Sequence, residues 1–321
     1  MAHETVSAQP HGETLARWSL IAAIAMMVVW GVNFTVVKVV LDEVGVGAFL
    51  FLRFLITPLL GFLLLALIYR RHLRKSWPRR EDLPRFVVCG LIGHTVHVGL
   101  VTYGIHLSTA FSSALVLTSG PLFTLLILAV LGAEKLRARQ LAGTLFAFAG
   151  IVLFLSDKFV HGFSLAGAGD LVLLLAASLF SLFTVIVSPL VARYGPLPVL
   201  AYTLLFGAPP LVLVSAPSFL SLPLDAVTPA VWIGLVWAIV VSAFLGWLVW
   251  AWVNAVRGLA RSAPLMYLMP PIAGLVAWLT LGEAFTWLKL SGAAMTMAGV
   301  AWAQFGGEHP PPREVAQPDS G

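Results

Sequence analysis

The sequence predicts an all-α polytopic membrane protein with ten transmembrane helices, arranged as two inverted repeats of five helices. Of its 321 residues, 60% are hydrophobic and 10% are charged, whereas a soluble domain carries about 25% charged residues. Apolar stretches of about 20 residues, the length that crosses a hydrocarbon core of about 30 Å, recur along the chain. Two of these stretches are similar to each other, which indicates an internal repeat.

The ten predicted spans follow one another with short polar or basic loops between them. The fifth is short, and the seventh contains Pro209 and Pro210, which must kink or interrupt a helix. We place the spans at residues 18–40, 48–69, 86–105, 110–132, 141–156, 171–192, 197–215, 230–253, 262–281 and 287–305.

The segments outside the spans divide the chain into two repeats with polar flanks. Residues 1–17 form a predicted cytoplasmic N-terminal tail, and because the apolar run that follows exceeds a signal-peptide core, we expect a retained first span. The first repeat covers 18–156 and the second 171–305, with an external linker at 157–170. The Pro-rich tail, 306–321, is predicted to be disordered and cytoplasmic.

The distribution of positive charge predicts the orientation. With the N-terminus in the cytoplasm, fifteen of the nineteen Lys and Arg residues fall on the inner side and two, Lys158 and Lys289, on the outer side. This asymmetry follows the positive-inside rule for proteins of the cytoplasmic membrane. It predicts that both termini face the cytoplasm. The net charge of +5 lies in these loops and not on a basic amphipathic face, so nucleic acid is not expected as a partner.

The internal repeat joins the fourth and fifth spans to the ninth and tenth. At an offset of 150 residues seven identities occur, and after a one-residue slip five more follow, including matched glycines and a matched glutamate. Because each repeat holds an odd number of spans, the two copies enter the membrane in opposite directions. The first-copy positions are Ala110, Ser112, Leu115, Pro121, Leu125, Leu131, Gly132, Glu134, Leu141, Gly143, Ala149 and Gly150.

Three sequence features together resemble the EamA-type ten-helix members of the drug/metabolite transporter superfamily. The first span ends in WGVNF with Lys38 four residues later, and Arg53 lies in FLRFL early in the second span. The Pro…Gly-x-Glu…Gly…Gly pattern around Glu134 occurs again around Glu283. Ala133 departs from the family's usual Gly-Glu pair and slightly lengthens the first hairpin. The resemblance extends over about residues 18 to 305.

The resemblance implies an exporter or facilitator of a small amphipathic metabolite, an amino acid first, that works by alternating access in a bacterial inner membrane. It implies a small-molecule substrate, a surrounding bilayer, no cofactor, no metal and no catalytic residues; a monomer and a homodimer both remain open. The alternatives are an intramembrane enzyme and a membrane sensor. The sequence contains no HExxH, no GxSxG and no paired intramembrane aspartates.

All fourteen acidic residues lie in tails, in loops or at span ends. Because buried carboxylates are the usual proton and sodium carriers of transporters, this distribution weighs against tight ion coupling. Asp170 and Glu283 flank helix ends, where we expect capping roles.

His94 and His97 lie one turn apart near the middle of the third span. Both are candidates to line a substrate cavity, where they would bind a carboxylate or titrate. The alternative is a pair of neutral histidines bonded to neighbouring helices. A metal pair lacks further ligands at a useful spacing.

Lys38 and Arg53 are the two basic residues within spans, and we expect both near the outer mouth of the protein. There they would orient an anionic group or act in gating. Snorkelling towards the headgroups is the alternative.

Further cavity candidates are aromatic or amide side chains within apolar spans: Asn33, Tyr103, Trp237 and Tyr267. For these, packing in the core or bonding between helices is the alternative. Trp247, Trp250 and Trp252, near one end of the eighth span, are expected in an interfacial belt.

Overall fold

The computed structural model describes residues 10–69, 77–132, 138–160, 165–257 and 262–305, and all regular secondary structure in these ranges is helical. The C-terminal tail and Glu134 lie outside the described residues. The α-helices are α1 (Pro10–Ile68), α2 (Leu83–Cys89), α3 (His97–Leu107), α4 (Ala110–Leu117), α5 (Gly120–Val130), α6 (Ala138–Val160), α7 (Leu165–Tyr194), α8 (Pro196–Leu220), α9 (Pro229–Val236), α10 (Gly246–Arg257), α11 (Met269–Leu281) and α12 (Trp287–Phe305).

Seven helical stretches in the described ranges are long and apolar enough to cross a membrane, and Leu265–Leu281 is a shorter apolar helix. The chain is therefore an all-helical, multi-pass membrane protein. The seven stretches are Thr14–Ile68, Arg80–Leu107, Ala110–Val130, Ala138–Asp157, Gly167–Tyr194, Pro196–Leu220 and Pro229–Asn254.

Helix α1 has 59 residues, which would extend about 88 Å at 1.5 Å per residue. It does not run straight, because Gly45 is non-helical at φ 74° and ψ 164°. Only glycine adopts this backbone conformation without strain. Gly45 thus divides α1 into two arms, at the place where the sequence predicts the loop between the first two spans.

Two π-helical segments interrupt the long helices that contain them. Gly90–Val96 joins α2 to α3, and Trp237–Leu245 joins α9 to α10. A π-helical turn inserts an extra residue and rotates the side chains that follow, and such turns are frequent at functional sites.

Helices α6 and α12 cross at small residues that allow backbone contact. A Cβ added to Gly143 would lie 2.5 Å from the Ala303 nitrogen, and one added to Gly292 would lie 2.5 Å from the Phe154 nitrogen. Between these contacts, Gly150 meets Thr296 and Gly299 meets Ala147. Residue numbers rise along α6 as they fall along α12, so the two helices are antiparallel.

The two ends of the bundle carry different polar contacts. At one end, which we call the acid-capped end, Glu43 accepts hydrogen bonds from the Thr228 N–H (2.5 Å) and hydroxyl (2.9 Å). At the same end Glu283 accepts from the Ala110 N–H at 2.7 Å. It therefore caps α4, a helix that begins 173 residues earlier in the chain, since the first-turn N–H groups of a helix need acceptors.

The opposite end, which we call the basic end, is held by an ion pair between α7 and the start of the Arg80–Leu107 stretch. Arg193 Nη1 lies 2.6 Å from Asp82 Oδ2, and the Tyr194 hydroxyl donates to the same oxygen at 2.5 Å. A second carboxylate, that of Glu81, lies 3.3 Å from Arg193.

Candidate functional site

A small cavity of about 30 Å³ lies inside the bundle. That volume is the space of about one water molecule, so a larger ligand requires the walls to move apart. Its lining comes from four parts of the chain: the second arm of α1, the Arg80–Leu107 stretch, α8, and the Trp237–Leu245 segment with α10. The lining residues are Arg53, Phe54, Thr57, His94, Val98, Leu200, Leu204, Ala243, Phe244 and Trp247.

Most of the cavity lining lies towards the middle of the helices, and Leu200, the fifth residue of α8, lies closer to a helix end. His94 is roughly midway along Arg80–Leu107, and Ala243 and Phe244 lie near the middle of Pro229–Asn254. Both positions fall within the two π-helical segments. The irregular helical turns of the protein are therefore next to the cavity.

His94 is buried and forms part of the cavity wall. Its Nε2 lies 3.0 Å from the Thr203 hydroxyl oxygen, and its ring meets Phe183 edge to face. The Thr203 hydroxyl in turn donates to the Val199 carbonyl at 2.7 Å. Since a hydroxyl has one proton, this arrangement makes His94 Nε2 the donor to Thr203 and leaves Nδ1 as an acceptor.

Close backbone contact brings α8 against the π-helical segment that contains His94. A Cβ on Gly90 would lie 2.6 Å from the Thr203 carbonyl oxygen, so a larger residue there would force the helices apart. Thr95 adds a hydrogen bond of 2.7 Å to the Gly207 carbonyl. The glycines thus bring Thr203 within reach of His94.

Arg53 is half-buried and lines the same cavity. Within the described ranges its guanidinium group makes no hydrogen bond and no ion pair, and no acidic residue lines the cavity. The hydroxyl of the neighbouring Thr57 donates a hydrogen bond to the Arg53 backbone carbonyl at 2.8 Å. The structure therefore places this cation in the wall of the cavity.

His97 lies outside the cavity lining. Its Nδ1 donates to the Ala176 carbonyl at 2.9 Å, and its ring packs against Phe180 at a centroid distance of 5.1 Å. The two histidines thus form their hydrogen bonds with different helices, His94 with α8 and His97 with α7, while both rings also pack against phenylalanines of α7.

Lys38 also lies away from the cavity. Its Nζ donates to the His106 carbonyl at 2.5 Å and to the Ile105 carbonyl at 3.4 Å. These carbonyls belong to the last turn of α3, where a helix has acceptors without intrahelical donors. Lys38 therefore caps α3 and ties it to α1.

The other four cavity candidates lie apart from the cavity lining. Tyr103 is 49% exposed on the outer surface of the bundle. Asn33 Oδ1, Trp237 Nε1 and the Tyr267 hydroxyl are buried and have no hydrogen-bond partner in the described part of the chain. Buried polar atoms of this kind normally bond to water or to a ligand.

Trp247 lies in the cavity wall although it is not among the cavity candidates predicted from the sequence. It lines the cavity and meets Phe180 edge to face at 6.0 Å. Phe54, Phe244, Leu200 and Leu204 complete the apolar wall. Nothing in the sequence separates them from other apolar residues of the spans.

The described residues contain no group of three His, Cys, Asp or Glu side chains positioned to hold a metal ion. The site is thus an apolar and aromatic cavity with one cationic and one imidazole side chain. Such a composition binds small organic molecules that have an apolar part and a polar group.

Comparison with solved structures shows a shared fold. A crystal structure of a protein superposes with a TM-score of 0.61 at 21% identity, covering 89% of this chain and 97% of that chain.

Comparison with known sequences shows transporters along nearly the whole chain. A probable terminal-alkyne amino-acid exporter of Streptantibioticus cattleyicolor is 29% identical, over 89% of this chain and 92% of that protein. A probable amino-acid metabolite efflux pump of Salmonella typhimurium is 26% identical, over 88% and 94%. An uncharacterized transporter of Archaeoglobus fulgidus is 24% identical, over 89% and 98%.

The family comparison covers both halves of the chain. The model of the EamA-like transporter family matches residues 17–156 and again residues 167–304. Because these two matches include most of the chain, this multi-pass membrane protein belongs to the EamA-like transporter family.

Proposed function

We propose that the protein is a secondary transporter that exports a small amphipathic metabolite, an amino acid first, across the cytoplasmic membrane by alternating access. The observation that carries this proposal is the cavity at mid-depth, whose walls come from the second arm of α1 and the Arg80–Leu107 stretch on one side and from α8 and α10 on the other. Transporters built from repeats place their substrate sites at this position. Two relatives described as amino-acid exporters support the choice of substrate.

The architecture of the proposal is ten spans in two inverted five-helix repeats. Counting α1 as two spans at Gly45 supports this number. The antiparallel contact of α6 with α12 supports the inversion, because an offset of 149 residues exchanges its pairs: Gly143 with Ala303 becomes Gly292 with Phe154. A self-complementary contact of this kind is expected at a twofold axis. The two π-helical segments, at corresponding places in the two halves, agree with it.

Alternating access requires the two ends of the bundle to open in turn. The acid-capped end joins the proposed halves through Glu43 with Thr228 and Glu283 with Ala110. The basic end joins them through Asp82 with Arg193. Both sets are polar contacts at helix ends, and apolar clusters that also separate when an end opens lie beside them.

In the proposed orientation the basic end, with both termini, faces the cytoplasm and the acid-capped end faces outwards. The excess of Lys and Arg at the basic end supports this choice. A cysteine placed at Asp225, in the turn between α8 and α9, tests it. In intact cells an impermeant maleimide should label this cysteine, and labelling only after lysis would reverse the orientation.

The function is tested by flux in proteoliposomes. Purified protein should move labelled L-phenylalanine or L-leucine down its gradient faster than protein-free liposomes do. A broad amino-acid panel without any flux would remove the amino-acid substrate. If a wider panel of metabolites also fails to move, the transporter proposal itself is wrong.

A further inference from the structure

We propose that Arg53 binds the carboxylate of the transported molecule, so that the cavity selects monocarboxylates with an apolar side chain and does not require their ammonium group. The inference rests on the proposed function and names its substrate class. It follows from the charges and hydrogen bonds of the cavity wall.

The Arg53 guanidinium is a cation without an anion. It lines the cavity, half-buried, and has no hydrogen-bond or ion-pair partner among the residues that the structure describes. An unpaired charge inside a membrane protein is costly, and such charges normally face a ligand, water or an opposite charge. The acidic residues of the chain all lie in tails, in loops or at span ends, and none that the structure describes lines the cavity, so a ligand can supply the anion that the cavity wall lacks.

Two other polar side chains of the cavity, Thr57 and His94, already use their donors, and Trp247 offers a donor without a charge. Thr57 donates to the Arg53 carbonyl, and His94 donates to Thr203. Arg53 is therefore the cavity's available charged donor. Its planar fork of N–H groups matches the two oxygens of a carboxylate.

The rest of the wall accommodates an apolar group. Two phenylalanines, two leucines, one valine, one alanine and one tryptophan surround the Arg53 and His94 side chains. No aspartate or glutamate lines the cavity, so the ammonium group of an amino acid gains no ion pair there. A 2-oxo acid, which has the carboxylate and the side chain without the ammonium, should bind about as well as the amino acid.

Competition in proteoliposomes tests this selectivity. The probe is labelled L-phenylalanine, and the unlabelled competitors are L-phenylalanine, phenylpyruvate, L-phenylalaninamide and phenethylamine. We expect the first two to compete about equally. The amide and the amine should be at least about tenfold weaker, because they lack the charged acceptor of the Arg53 hydrogen bonds.

Substitution of Arg53 distinguishes a binding role from a structural one. In Arg53→Gln the acid-to-amide ratio should fall towards one, while Arg53→Lys should keep part of the preference. The matched control is Arg139→Gln, at an exposed arginine near the start of α6, and it should keep the wild-type ratio. Thermal shifts in detergent with the same compounds measure binding without flux.

The outcomes separate this inference from the proposed function. If the wild-type protein binds the acid and the amide equally, or if Arg53→Gln retains the wild-type acid-to-amide ratio, Arg53 does not bind the carboxylate. Competition by the amine and not by phenylpyruvate would also overturn the inference. If the acids stabilise the wild-type protein against thermal unfolding more than the amide does, but no flux is measured, the inference stands and the transport proposal is wrong. If Arg53→Gln does not fold, the wild-type comparison and Arg53→Lys still decide.

Discussion

Each of the two buried histidines is held by a different helix: His94 by Thr203 of α8 and His97 by the Ala176 carbonyl of α7. Only His94 lines the cavity. We therefore expect His94→Ala to reduce flux per folded protein about tenfold. His97→Ala should instead lower stability, since it removes a buried hydrogen bond, worth about 0.5–1.5 kcal/mol, together with the ring contact to Phe180. Flux per folded transporter, with thermal unfolding in detergent, separates the two effects.

A glutamine at position 94 serves as the control for this pair. Its amide N–H can replace Nε2 as the donor to Thr203, so His94→Gln should retain more flux than His94→Ala. If folded His97→Ala protein lost flux while His94→Ala protein kept it, the cavity would not be the substrate site.

At the residue scale, the sequence predicts which polar side chains are buried better than it predicts where they point. The identity of Arg53 and His94 as intramembrane polar residues is plain from the sequence, whereas their shared cavity depends on helix rotation. Lys38 and Arg53 look alike in sequence, each a basic residue within a span. Only the structure shows that the carbonyls of α3 bind Lys38, whereas the Arg53 guanidinium has no partner among the residues that the structure describes.

At the scale of a pair of helices, the close contact between α6 and α12 depends on glycine. A Cβ at Gly299 would meet the backbone of Ala147, which cannot move aside as a flexible side chain can. We expect Gly299→Ala to destabilise the protein, and Gly299→Val to do so by at least about 1–3 kcal/mol, the cost of overpacking. Thermal unfolding in detergent measures the difference.

Gly99 in α3 is the matched control for this glycine. A Cβ there would meet only Leu211 Cδ2, at an ordinary 3.8 Å. Because alanine is the better helix former by up to about 1 kcal/mol, Gly99→Ala should be neutral or stabilising. Equal effects of the two alanine substitutions would show that the helices do not approach each other through Gly299.

At the element scale, the lengths of the apolar runs predict where the helices lie, but they do not predict the irregular turns within those helices. The break at Gly45 was expected, since residues 41–47 separate two apolar runs. The π-helical segments carry no comparable signal, because an inserted residue leaves the composition of a span unchanged. They lie beside the cavity, so the helix rotation that brings Ala243, Phe244 and Trp247 into its wall cannot be predicted from periodicity.

The two ends of the whole molecule should differ in how strongly they hold it closed. At the acid-capped end, Glu283 binds the N–H groups at the start of α4, a type of contact worth about 0.5–2 kcal/mol. At the basic end, the side chains of Arg193 and Asp82 are 47% and 10% exposed. Because Arg193 is open to solvent and the Tyr194 hydroxyl still donates to Asp82 when Arg193 is replaced, this ion pair contributes about 0–1 kcal/mol. Removal of the Glu283 charge should therefore shift the conformational balance more than removal of the Arg193 charge.

Labelling of a cavity cysteine measures that balance. In a Cys89→Ala background, Thr57→Cys places a thiol on the cavity wall. Adding Glu283→Gln should raise the labelling rate by an impermeant maleimide from the outer side by roughly three- to tenfold, since about 1.4 kcal/mol corresponds to a factor of ten. Adding Arg193→Gln should raise labelling only from the cytoplasmic side and by less, because its contact is the weaker one. Equal increases from both sides with either substitution would mean that these contacts stabilise the fold as a whole and do not act as separate gates.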